Sequence, residues 1–383
     1  MLRFLTAGES HGKGLSIILE GMVCGLPLTA EIINLQLSRR QKGYGRGGRM
    51  KIEKDRVEIL AGVRGGKTTG GPISLFIQNL DWNNWKTIMD PETGSSPLRT
   101  VPRPGHADFS GTIKYRTEDI RDIIERASAR ETAARVAGGS VCKELLRHLS
   151  IHIYSRVVSI GTIHDPTEYS EAIARYEEIE SSPFRALLNT EQMQSAIDTA
   201  REKGDTIGGI VELIATGLPI GLGSHVHWDR KLDGIIAQAL MSIPAIKGVE
   251  IGIGFAVASA LGSRVHDPFL YEKSTLTRSS NNAGGIEGGI SNGMPLIARC
   301  AMKPIPSLIQ GISSIDMATK KNMNAEYERS DICAVVPASV VAEHALALSL
   351  AAVCLEKFGG DTLEELLSSF QNHAEYTRRR TEQ

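Results

Sequence analysis

The sequence predicts one mixed domain, α/β or α+β, rather than two. Three observations carry this. Strand-like and helical segments alternate along 383 residues with no compositional break, short repeat or low-complexity linker. Hydrophobic residues make up 41% and charged residues 23%, which is the balance of a globular core and not of a disordered or fibrous chain. The 39 glycines exceed the usual share, which fits tight turns and sites built on loops.

The elements follow in order. Met1–Thr6 reads as a short strand ending in a Gly-bounded loop. Thr29 is placed to cap a helix over Ala30–Arg40, whose last turn is basic and so suits the helix dipole. Val57–Val63 and Ile73–Gln78 are apolar, β-branched and separated by Gly-rich turn residues, the pattern of a strand pair. Leu80–His106 is polar, holds Pro91, Pro97, Pro102 and Pro104, and reads as a long surface loop. Thr117–Ser150 is the strongest helical stretch, with Ile120, Ile123, Ile124, Ala127, Ala134, Val136 and Leu145 near helical spacing and Gly138-Gly139 as the expected bend. Ile151–Ile163, Gly209–Thr216, Gly248–Phe255 and Pro295–Met302 read as strands, and Leu232–Ile243 and Pro337–Lys357 as helices. Pro268–Asn292 reads as a loop, and about 362–383 as a charged helix fraying into a tail.

Net charge is −1, which argues against a general nucleic-acid or membrane-surface binder. Positive charge is instead local. Ser38–Glu53 reads S-R-R-Q-K-G-Y-G-R-G-G-R-M-K-I-E: Arg39, Arg40, Lys42, Arg46, Arg49 and Lys51 alternate with Gly43, Gly45, Gly47 and Gly48. Cations on a backbone that can approach closely suit a multiply charged anion. A solvated loop is the plain alternative. Cys24, Cys142, Cys300, Cys333 and Cys354 are widely spaced and odd in number, so neither a disulfide framework nor a zinc site is expected, and a reducing cytoplasm fits. The N-terminus lacks the apolar core of a secretory signal, and no run is expected to reach the roughly 18 apolar residues of a membrane helix.

Two motifs are set aside. Ala61–Thr68 matches the loose phosphate-binding P-loop, but a β-like run follows it instead of a helix, so a hairpin turn is expected. His225-Val226-His227 places two imidazoles on one face of a strand without a third ligand nearby, so a surface strand end is expected, with metal the lesser alternative.

Four segments remain as candidates. His11 in Gly8–Gly12 and His106 in Arg103–Asp108 are titratable rings on Gly-flanked loops, suited to acid/base work. Arg126 and Arg130, at i and i+4, share a helix face, either as a second anion contact or as a salt-bridged surface with Glu125 and Glu131. Asn281–Gly293 is dense in Gly and amides, which can wrap a planar, phosphate-bearing cofactor.

Together these segments resemble the chorismate synthase family. G-E-S-H-G (Gly8–Gly12), G-Y-G-R-G-G-R-M (Gly43–Met50), R-P-G-H-A-D (Arg103–Asp108), S-A-R-E-T (Ser128–Thr132), N-A-G-G-I-E-G-G (Asn282–Gly289), K-P-I-P-S (Lys303–Ser307) and E-R-S-D-I-C (Glu328–Cys333) occur in the family's order across nearly the whole chain. The resemblance implies an α+β fold: a single-domain β-α-β sandwich over residues 1–383, with two pseudosymmetric antiparallel sheets around helices, assembled as a homotetramer. It implies a cytoplasmic lyase of the shikimate pathway. Such an enzyme removes phosphate from 5-enolpyruvylshikimate 3-phosphate by anti 1,4-elimination to give chorismate, and requires reduced FMN without net redox change.

By the same resemblance, Arg40, Arg46, Arg49, Arg103 and Arg130 hold the substrate's anions. His106 protonates the leaving phosphate, His11 protonates the flavin at N1, and Asp331 works with flavin N5, the acceptor of the ring proton. FMN contacts fall to Arg126, Ala127, Ser128, Pro244, Ala245, Gly288, Lys303, Pro304, Ile305, Pro306, Ser307 and Arg329. Ala127 stands where many members have Ser and Pro244 where many have Asn, which leaves backbone contacts at those two positions. Arg40 and Arg46 are also assigned to NADPH in members that reduce their own flavin. Two rival readings use the same residues: an oxidoreductase that consumes NADPH, and an RNA-binding module built on the Arg/Gly segment.

Overall fold

The computed structural model describes residues 1–48, 53–272 and 274–382. Arg49, Met50, Lys51 and the terminal Gln383 lie outside the described residues. Two antiparallel sheets enclose a layer of helices, the sandwich that the resemblance implies. The N-terminal sheet runs, edge to edge, Arg3–Ala7, Gly14–Glu20, Ile73–Gln78 and Val57–Ala61. The second runs Ile246–Ile251, Leu296–Met302, Gly209–Thr216, His152–Ile160 and Ile163–His164. Between them lie the helices Ala30–Gln41, Thr132–His148 and Val335–Phe358.

The alternation of side chains builds this layering. Along Gly14–Glu20, Leu15, Ile17 and Leu19 are buried against the helices while Ser16, Ile18 and Glu20 face outward. That strand was not read from the sequence, because Ile18 on the outer face blurs the period. Val335–Phe358 is apolar nearly all round and is buried on nearly every side, between Thr132–His148 and the second sheet. Against the expectation, this 24-residue helix is long and apolar enough to cross a membrane; here it is the central core helix.

Other readings need correction. The stretch Thr117–Ser150 is not one helix: Arg121–Arg126 ends, a 3-10 turn covers Ala129–Glu131, and Thr132–His148 follows. The break falls at Ser128, whose hydroxyl accepts from the Arg130 backbone N–H, and not at Gly138-Gly139. Thr29 precedes the first helix with extended backbone, but its side chain makes no capping hydrogen bond. Leu80–His106 contains the helix Trp82–Met89, and Pro268–Asn292 contains two short hairpins. The strand expected over Gly248–Phe255 is Ile246–Ile251, with a 3-10 segment after it. Val63–Arg64 and Lys67–Thr68 form the expected hairpin in place of a P-loop. His225-Val226-His227 is exposed and outside any strand.

Gly138 and Gly139 serve close packing. A Cβ on Gly139 would lie 2.5 Å from His344 Cβ and 2.6 Å from its carbonyl oxygen, so the two central helices touch backbone to backbone there. Gly139→Ala is expected to destabilise the fold by about 1–3 kcal/mol through overpacking. Denaturant midpoints measure this, and an unchanged midpoint would mean that the helices part freely.

Candidate functional site

The basic segment divides at the end of the Ala30–Gln41 helix. Arg39 points into the core and pairs with Glu343 (2.7 Å) and Glu180 (2.6 Å). Arg40 points the other way, toward the cluster formed by the loops. Its Nε donates to Thr132 Oγ1 (3.0 Å), Nη1 to Asp55 (3.3 Å) and Nη2 to the Ala129 carbonyl (3.1 Å). It is 6% exposed, and burial pushes its pKa down to about 10, with Asp55 opposing and the Arg130 and Arg46 charges adding to the fall. Arg130 pairs with Asp55 and donates through Nε to Asn79 Oδ1 (2.9 Å). Arg46 Nη1 meets Asp331 Oδ2 at 2.8 Å, and the Gly47 N–H donates to Asp331 Oδ1 at 2.6 Å. Burial lowers the pKa of Arg46, against the pull of Asp331. Arg40, Arg46, Arg130, Asp55 and Asp331 thus form one dense cluster. Arg49 lies outside the described residues.

Arg126 and Arg130 do not share a helix face, because the chain breaks between them. Arg126 is exposed and donates to the Thr6 carbonyl (3.2 Å) and hydroxyl (3.0 Å), whereas Arg130 turns inward. Glu131 pairs with Arg135. Glu125 is buried and holds His11: its carboxylate accepts from the His11 backbone N–H at 2.8 Å and meets Nδ1 at 3.0 Å. The His11 ring stacks on Trp85 with centroids 3.9 Å apart. Asn79 links this loop to the arginine cluster. Its Nδ2 donates to the Glu9 and Gly12 carbonyls, while its Oδ1 accepts from Arg130. Ser128 donates to Ser10, tying the 126–128 turn to the same loop.

His106 has an equivalent support. Its Nδ1 meets Asp108 Oδ1 at 2.5 Å, and Arg103 Nε donates to Asp108 Oδ2 at 2.8 Å. Asp108 is fully buried. Burial opposes its ionisation, but hydrogen bonds from His106 and Arg103 outweigh this and hold its pKa well below the usual carboxylate range. The Lys303 ammonium donates to the Gly105 carbonyl, which joins the 103–108 loop to the 303–307 segment. Burial and the neighbouring Lys247 lower the pKa of Lys303. Ser307 holds the Glu328 backbone (2.7 and 2.8 Å), setting the 328–331 turn that carries Asp331. Lys303 N–H donates to the Ala245 carbonyl (3.0 Å), and Arg135 reaches Ser242 (2.7 Å), so the Pro244-Ala245 turn joins the group. Ala245 has φ of +70°, an unusual backbone for a residue other than Gly.

Gly288 is set apart. Its hairpin pairs with Gly223 and hydrogen-bonds the start of the Leu232–Met241 helix, beside Arg230, which pairs with Glu356. Glu356 lies in the last turn of a 24-residue helix that begins just after Asp331. Such a helix is about 36 Å long, so Gly288 and Asp331 sit toward its opposite ends.

The residues expected to hold FMN fit a phosphate-bearing group. Among the described residues, Lys247, Lys303 and Arg329 have no carboxylate partner, and Lys247 and Lys303 repel one another. Sequence reasoning missed Asp55, Asn79 and Trp85, which carry no local signal. It missed Asp108 as a partner, although its place two residues after His106 was visible.

A family model described as Chorismate synthase matches residues 2–355. A chorismate synthase of Moorella thermoacetica is 55% identical, over 97% of this chain and 99% of that protein. One of Aquifex aeolicus is 54% identical, over 98% of each. A crystal structure of chorismate synthase superposes with a TM-score of 0.81 at 46% identity, over 99% of this chain and 98% of that one.

Proposed function

The chain belongs to the chorismate synthase family, and from that premise we propose how its residues divide the work of converting 5-enolpyruvylshikimate 3-phosphate to chorismate. The enzyme is a lyase. One observation carries the assignment of the site: two imidazoles, each set against a buried carboxylate, stand with buried guanidiniums at one end of the sandwich. The substrate has two carboxylates and a phosphate, and Arg40, Arg46, Arg103 and Arg130 supply the matching charge, with Arg49 a fifth by resemblance. Charge-assisted hydrogen bonds of this kind contribute roughly 1.5–3 kcal/mol each.

With His106 Nδ1 on Asp108, Nε2 is the atom left to pass a proton to the departing phosphate. Arg103, on the same carboxylate, keeps positive charge beside it. Asp331, fixed by Arg46 and the Gly47 N–H, assists removal of the ring proton. Arg126, Ala127, Ser128, Pro244, Ala245, Lys303–Ser307 and Arg329 hold FMN, the cations meeting its phosphate and the rest its ring through backbone and small side chains. Reduced FMN, when bound, supplies electron density that eases departure of the phosphate and is regenerated over the cycle. In a homotetramer, the distant Gly288 serves the site of another copy. NADPH at Arg40 and Arg46 remains part of this proposal, as does a cytoplasmic location. The near-complete burial of Arg40 counts against an Arg/Gly patch open to RNA.

The test is anaerobic. Purified enzyme with chemically reduced FMN should release one phosphate per chorismate and consume no NADPH beyond initial flavin reduction. No phosphate release would sink the proposal, and stoichiometric NADPH consumption would favour an oxidoreductase instead.

A further inference from the structure

The surroundings of His11 support a residue assignment beyond the contacts above, which rests on the proposed proton-handling role of His11. Both Glu125 oxygens lie 3.0 Å from Nδ1, and one also accepts the His11 backbone N–H. The Glu125 side chain is 2% exposed, so water does not compete for those oxygens. Burial opposes its ionisation, yet the contacts to His11 hold the carboxyl below its ordinary range. Trp85 stacks on the ring, and Arg121 covers the other end of this stack, 5.6 Å over the indole and 4.0 Å from Glu125. The loop adds Glu9 and Lys13, and the Trp82–Met89 helix adds Lys86. His11 Nε2 makes no hydrogen bond to a described residue.

We propose that Glu125 is the positioning residue of His11: it fixes Nδ1 as the protonated, inward nitrogen and Nε2 as the one presented to ligand, while Trp85 stops the ring from turning. A carboxylate that accepts from Nδ1 selects the tautomer in which that nitrogen carries the proton. Without Glu125 either nitrogen could face the ligand.

The test uses nitrogen-15 NMR of histidine-labelled full-length enzyme, with the His11 signals identified by their loss in His11→Ala. In the parent, the neutral form should carry its proton on Nδ1. In Glu125→Gln, whose amide can donate to Nδ1 as well as accept from it, that preference should be lost and both tautomers should be seen. Turnover should fall with it, and Glu125→Asp should restore both. The double variant with His11→Ala should be no slower than His11→Ala alone, because the two residues act as a unit. If Glu125→Gln, or Glu125→Ala should the first not fold, leaves the tautomer unchanged and lowers only thermal stability, Glu125 is structural and the proposal is overturned. Unchanged turnover in His11→Ala is a different failure: it removes the role of His11 itself, whatever the NMR shows of Glu125.

Discussion

Glu343→Ala is expected to lower stability by about 3–5 kcal/mol, the cost of leaving buried charge without its partner. Glu343 is 0% exposed, in the middle of the central helix. Its carboxylate meets Arg39 at 2.7 and 2.9 Å, Ser155 Oγ at 2.5 Å, the Lys143 ammonium, and Arg185 at 3.9 Å. Burial alone would raise its pKa; Arg39 and Lys143 outweigh burial and hold it well below the ordinary carboxylate range. Removing the carboxylate strands Lys143 and takes from Arg39 its fully buried partner, leaving it Glu180. The pair's contribution is full above the pKa of an unfolded glutamate and is lost as pH falls through the lower folded value. Parent and variant should therefore converge in acid. Denaturant midpoints at neutral and acid pH check both points, and equal midpoints at neutral pH would refute the account. Replacing Lys143 by Met and Glu343 by Leu together should recover part of the loss, because Arg39 and Arg185 keep Glu180 and each remaining cation then retains a carboxylate.

Arg39 also explains what the sequence could and could not tell about the basic segment. Six cations without an intervening acid signalled an anion site, but adjacent residues on a helix point about 100° apart. Arg39 therefore enters the core while Arg40 enters the site, and local spacing does not decide which does which. The partners that decide it, Glu343 and Asp55, are far away in sequence or silent in composition. Elements that are nearly continuously apolar, such as Gly209–Thr216 and Val335–Phe358, were legible. Gly14–Glu20 was not, because its outer face carries Ile18. The break at Ser128 was hidden by a helical period that continues across it, since a cap competes with the helix locally without disturbing hydrophobic spacing. Motif residues around His11, His106 and Asp331 were legible only because several short segments kept one order. What lies between them, the Asn79 bridge and the Glu125 and Asp108 carboxylates, depends on tertiary approach. The same holds for Gly288, whose segment read as wrapping a cofactor and stands at the far end of the central helix.

His106→Ala is expected to lower turnover by about 10²–10⁴-fold while changing substrate affinity far less, because a proton donor acts in the transition state and not in binding. Phosphate leaves poorly unless its charge is neutralised, and Nε2 is the ring nitrogen not engaged by Asp108. Added imidazole should restore part of the rate. Arg103→Ala separates the binding contribution from the proton: it leaves the imidazole in place, removes the guanidinium that shares Asp108 at 2.8 Å, and should weaken binding more than His106→Ala does. Unchanged turnover in His106→Ala would remove this residue from the mechanism. Equal losses in rate and affinity would mean that the ring serves as a binding contact, and the proton for the phosphate would then have to come from another acid at the same end of the sandwich.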